Sequence, residues 1–169
     1  MSPGNVSSPY LVHIMIAAKQ LYLLDNQYKG IPNYIYGLPG DRLDFHDPAK
    51  WSIRDQVAHL AKYQPEFLRR IKLIVDTDVP SFPRYRADED PEFEMWRSWT
   101  ITKLIEALER GRHEIILYLN SLTPTELNRQ GIHPIYGKLN IVDWVEFFLL
   151  HESHHLFSIF QLAHRSGLD

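Results

Sequence analysis

The chain has 169 residues, 44% of them hydrophobic and 23% charged, which fits one domain with enough apolar material for a core of its own. The absence of cysteine excludes disulfide frameworks, thiolate zinc sites, iron–sulfur clusters and cysteine nucleophiles. A net charge of −3 without a dense Lys/Arg cluster argues against a nucleic-acid partner, and apolar runs such as Phe147–Leu150 fall far short of the roughly 20 residues a membrane span needs.

Residues Met1 to Pro9 show neither a basic nor an apolar leader, so the expectation is a cytoplasmic protein. A first helix is predicted from Pro9 to Tyr28, with Ser8 as its cap and Gly30 and Pro32 ending it. A loop rich in Gly, Pro and Asp runs from Gly30 to Lys50, long enough to suggest a crossover or a functional segment. The second helix opens at Ser52, with Asp55 as the partner of a capping box, and ends before Pro80. Its stripe is Ile53, Val57, Leu60, Phe67, Ile71 and Ile74, and Pro65 is expected to kink it by removing the donor for the Ala61 carbonyl. A loop, Asp76 to Pro91, follows.

The third helix is predicted from Glu92 to Leu122 with Leu104, Leu108, Ile115 and Leu119 buried, and Gly111 is expected to weaken it locally. Thr123-Pro124-Thr125-Glu126 opens a short helix, and Arg129 to Leu139 reads as a loop. The fourth helix runs from Asn140 to about Arg165 and stops at Gly167. No segment sustains a period of two, so no strand is expected. The fold class is all-α: a four-helix bundle with a long crossover loop, in one domain spanning residues 1–169.

The last helix carries His151-Glu152-Ser153-His154-His155. Residues four apart share a helix face, so His151 and His155 can reach one ion. They also fall on the apolar stripe of Trp144, Phe148, Ile159 and Leu162, which points them into the bundle. Two inward imidazoles are hard to satisfy without a metal, the alternative being a pair held by core carboxylates or water. His154 is rotated off that face, as a surface group or a support to the pair, with a ligand role in place of His151 or His155 as the lesser alternative.

The same residues match the H-E-x-x-H pattern of zinc proteases. The continuation does not: Ser158 and Gln161 stand where a glycine and a third histidine are required, and no glutamate follows His155. Glu152 is left as either a base on metal-bound water or a solvated helix residue. His59 is the best remaining third ligand, although its polar neighbours Asp55, Gln56, Lys62 and Tyr63 leave it at a flank by spacing alone. His13, His46, His113, His133 and His164 are scattered and read as surface or locally satisfied residues.

Trp51-Ser52-Ile53-Arg54-Asp55-Gln56-Val57-Ala58-His59-Leu60 resembles the helix-two signature of the DinB-like superfamily of metal-binding bundles. Leu122-Thr123-Pro124, Gly131-Ile132-His133-Pro134, Gly137 and the final helix with His151, His154, His155 and Leu156 are similar to that family's C-terminal half. The resemblance implies a long crossover, a metal site of His59, His151 and His155, and a homodimer. It also implies a metal-dependent enzyme acting on a small molecule. A thiol-dependent S-transferase using a low-molecular-weight thiol is the first expectation, and a hydrolase using metal-bound hydroxide is the alternative. A third reading, from a different class, is a metal-stabilised binding protein without turnover. Three imidazoles suit one divalent ion, zinc first and nickel second, with iron or manganese also compatible. Tyr136 and Glu152 are the catalytic candidates, and Tyr63 and Asp55 are further residues that could line the pocket.

Overall fold

A computed structural model describes residues 19–45 and 50–165. The expected cap at Ser8, the start at Pro9, the stop at Gly167, and His13 and His46 lie outside the described residues. Helix α1, residues 19–26, runs into a 3₁₀ turn, Gln27–Gly30, and then into a short helix α2, Ile31–Ile35. Pro32 therefore starts a helix instead of ending one: it sits in the first turn, where its missing N–H has no helical partner to lose. A further short helix, α3 (Gly40–Asp44), lies in the segment expected to be loop.

Helix α4, Ile53–Asp76, starts on the expected capping box: Ser52 Oγ accepts from the Asp55 N–H at 3.1 Å, and Asp55 accepts from the Ser52 N–H at 3.0 Å. It runs through Pro65 without a break. The single third helix divides in two, α5 (Phe93–Arg97) and α6 (Ile101–Ser121). Thr100 adopts extended backbone and caps α6 by accepting from the Lys103 N–H, so a new helix starts there. Helix α7, Pro124–Leu127, has the expected Thr123/Glu126 box.

Contrary to expectation, the segment after α7 contains strands. β1 (Gln130–His133) and β2 (Gly137–Asn140) form an antiparallel hairpin in which His133 faces Gly137. Gly137 takes a positive φ of 72°, which lets the chain turn back where a side chain would be strained. The hairpin is anchored from far away: Ile132 donates to the Pro80 carbonyl at 2.8 Å and accepts from the Phe82 N–H at 3.1 Å. Helix α8, Ile141–Ala163, follows at once on an Asn140/Asp143 box.

Helices α1, α4, α6 and α8 form the bundle, with α4 packed on both α6 and α8. One apolar cluster gathers Phe67, Ile71, Ile74, Ile115, Trp144 and Phe148 with Leu24. A second gathers Ile53, Val57, Leu60, Leu104, Leu108 and Ile159. Where the two meet along α4, α6 and α8, a buried polar node replaces apolar contact. Arg112 donates to Glu152 at 2.6 Å, to the Leu24 carbonyl at 2.6 Å and to Gln64 at 3.1 Å. Gln27 donates to the other Glu152 oxygen at 3.1 Å. One guanidinium thus ties all four helices. Gly111 is where α6 closes on α4: a Cβ there would lie 2.5 Å from Gln64 Cβ.

Candidate metal centre

His59 stands on α4 and His151 and His155 on α8, the two helices that pack face to face. His59 is 4% exposed, enclosed by the rings of Trp51, Tyr63, Tyr85 and Phe93. The flank position suggested by its polar neighbours is therefore inward, because loop aromatics and the rest of α4 cover it. Among the described residues, these three histidines have ligand atoms all within 4.8 Å of one another. His151 Nε2 lies 3.1 Å from His59 Nε2 and 3.1 Å from His155 Nε2. Imidazoles sharing a tetrahedral zinc at bonds of about 2.05 Å would have their nitrogens about 3.3 Å apart.

The protein alone does not satisfy this trio. His155 Nδ1–H donates to Gln56 Oε1, so a neutral His155 has only a lone pair at Nε2. His151 Nε2 then has to donate to His155, which leaves it neither a proton nor a lone pair for His59. Nδ1 of His59 and of His151 are buried without partners among the described residues, so neither ring is satisfied elsewhere there. A cation accepting the three Nε2 lone pairs removes the conflict, and the residues present fit a divalent ion. The lone pairs are available at neutral pH. Burial, followed by the charge of His151, lowers His59 to about 3. Burial and then His154 lower His151 to about 4. Burial, with His59, His151 and His154 adding, lowers His155 to about 2.

A cleft of about 220 Å³ opens over His59 and His151. Arg70, Arg84 and His133 line it, together with Ile135, Tyr136 and Phe147. A second cleft of about 550 Å³ reaches His155 from the other side, past Trp51, Gln56, His154 and Ser158. The trio therefore has open approaches and is not a closed structural site.

Tyr63 belongs to the first cleft, with its ring 5.1 Å from that of His151, and burial raises its phenol above the ordinary range. Tyr136 is 61% exposed at the cleft mouth and stacks on His133 at 4.7 Å. Glu152 is not a solvated residue: it is 0% exposed and both oxygens are engaged, by Arg112 and Gln27. Those contacts also occupy it away from the role of base on metal-bound water. Asp55 stays with Ser52 and with Arg97, at 2.7 Å, and lines a separate depression. His113 and His164 are exposed as expected, whereas His133 is buried and lines the cleft. The signal for His133 is its place in Gly131-Ile132-His133-Pro134, which singled out the turn but not the ring's direction.

These features define a four-helix bundle with a metal-competent histidine trio between two of its helices. The chain belongs to the DinB superfamily, whose family model matches residues 23–159. Two similar proteins of Oceanobacillus iheyensis each carry the name "Putative metal-dependent hydrolase". One is 29% identical over 123 residues, covering 69% of this chain and 68% of the relative. The other is 26% identical over 147 residues, covering 83% and 84%. Among solved structures, YfiT of Bacillus subtilis matches with a TM-score of 0.77 at 18% identity, covering 100% of this chain and 95% of that one. YfiT is described as "a probable metal-dependent hydrolase with an unusual four-helix bundle topology", and at this identity the match speaks for the fold.

Proposed function

We propose that His59, His151 and His155 hold one divalent ion, zinc before nickel, and that the chain is a metal-dependent hydrolase of a small molecule. The convergence of three neutral imidazoles, with His151 Nε2 3.1 Å from Nε2 of both His59 and His155, carries this reading. The names of the two Oceanobacillus relatives favour water over a thiol as the nucleophile. An ion held by three neutral imidazoles supplies Lewis-acid activation of a substrate oxygen or of a small nucleophile. Gln56 orients His155 through Nδ1. Tyr63 offers a neutral phenol beside the trio, and Tyr136 at the mouth orders and shields the substrate.

A thiol-dependent S-transferase is the second reading, and one observation favours it. Among the described residues no carboxylate lines the cleft over His59 and His151, so none of them stands ready there as a base for water. A thiol needs less help, because metal coordination deprotonates it outright. The test is metal analysis of untagged protein with His59→Ala beside it, followed by turnover of activated esters and of electrophiles with and without added thiol. About one metal per chain, lost in His59→Ala, with ester turnover independent of thiol, is the expected result. Turnover only with thiol selects the transferase, and metal binding without turnover selects a metal-stabilised binding protein. The homodimer belongs to the same proposal; light scattering that returned the mass of one chain would remove it.

A further inference from the structure

The cleft over His59 and His151 holds donors that ion binding leaves unused. His133 Nδ1 accepts from the N–H groups of Ile135 and Tyr136, at 3.1 and 3.2 Å. In the neutral ring the proton is therefore on Nε2, and no acceptor among the described residues takes it. Burial, with Arg70 adding, lowers His133 below its ordinary value, so the ring stays neutral and its donor stays fixed. Arg70 is balanced by Glu66 at 2.7 Å and spends a second donor on the Pro83 carbonyl at 3.1 Å. Arg84 is exposed on the same cleft and makes no ion pair among the described residues. Ile135, Tyr136 and Phe147, which also line the cleft beside His133, are apolar or aromatic.

The charge balance of this space is one-sided. An ion held by three neutral ligands leaves its charge uncompensated, Arg84 adds another, and no carboxylate among the described residues lines the cleft to offset either. The unmatched partner is the substrate. We propose that the cleft selects substrates carrying a compact anionic group, carboxylate or phosphoryl. Arg84 and His133 Nε2–H receive its oxygens, and a flat apolar body lies along Ile135, Tyr136 and Phe147. A guanidinium fork and a fixed N–H suit paired anionic oxygens. This rests on the preceding reading in taking an ion at the trio and that cleft as its substrate side.

Calorimetric titration of the zinc-loaded protein with benzoate, phenyl phosphate and neutral benzamide tests it. At least one of the two anions is expected to bind about tenfold or more tighter than benzamide, and which one does so distinguishes carboxylate from phosphoryl. Arg84→Gln is expected to remove about tenfold of the anion affinity, and Arg84→Lys to restore part of it. Arg84 is exposed, so zinc content and melting temperature stay as in the parent. Equal binding of anion and amide overturns the proposal, as does no detectable binding of either anion. Anion binding that ignores Arg84→Gln but vanishes with the zinc also overturns it, because the anion then sits on the ion alone. A chain that takes up no metal fails the metal reading separately, and the Arg84 dependence is still read in that protein.

Discussion

Gln56 decides which nitrogen of His155 is offered to an ion. Its Oε1 accepts from Nδ1–H and so leaves the lone pair on Nε2, where the other two histidines converge. Outer partners of this kind hold ring direction and basicity, and losing one typically costs about 10–100-fold in metal affinity. Gln56→Leu is nearly isosteric but has no acceptor. Competition with a chelating indicator should therefore show zinc affinity lower by about that factor, while circular dichroism stays helical. An unchanged affinity would mean that packing against Trp51, stacked on His155 at 5.9 Å, already fixes the ring. The spacing of His151 and His155 on one stripe made that pair readable from the chain. His59 was only half readable, since the Trp51, Tyr85 and Phe93 rings that enclose it come from other segments. Glu152 was misjudged for a related reason: a single residue step along α8 turns it to a different face from His151, and its partner Arg112 is 40 residues away.

At the scale of elements, short-range signals were legible and long-range ones were not. The Ser52/Asp55, Thr123/Glu126 and Asn140/Asp143 boxes each act within one turn, and all three form. The hairpin was hidden because each strand has four residues, too few to show a period, and its anchor at Pro80 and Phe82 is distant in sequence. Arg112 had a signal, since it fills the vacant place between Leu108 and Ile115 on the α6 stripe. A charge at such a place implies an opposite charge on a facing helix, and Glu152 on α8 is that partner. Removing one member strands the other in the core. Arg112→Met should lower stability by about 3–5 kcal/mol, with a melting temperature roughly ten degrees lower. Arg112→Met/Glu152→Leu should recover much of it, because no charge is then left buried. A double variant no better than the single would show that the Leu24 carbonyl, Gln27 and Gln64 need the guanidinium more than Glu152 does. Gly111, expected to weaken α6, instead permits its contact with α4. Gly111→Ala improves helix propensity by about 1 kcal/mol but forces Gln64 away. Overpacking costs of about 1–3 kcal/mol should win, giving a lower urea midpoint. A rise would mean that Gln64 yields freely and the helix term decides.

For the whole molecule, the trio joins α4 to α8, so an ion bound there holds the folded chain and not the unfolded one. An ion at a hundred times its dissociation constant then adds about 2.7 kcal/mol of stability. The three histidines are lowered in the folded state to about 3, 4 and 2. The unfolded chain takes up protons on them near the ordinary value of roughly 6.5. Because the folded values lie below the unfolded one, this contribution is full above pH 6.5. It is lost as pH falls toward the folded values. Protons act mainly on the unfolded state across that window, so they do not displace the ion from the native site. Urea unfolding of zinc-loaded and chelator-treated protein between pH 7.5 and 5 should therefore give two curves that fall together, with the gap between them held. His59→Ala should close the gap at every pH. If instead the gap in the parent closes near pH 6, the histidines protonate in the folded chain. The cover provided by Trp51, Tyr63, Tyr85 and Phe93 would then be looser than their ring contacts with His59 imply.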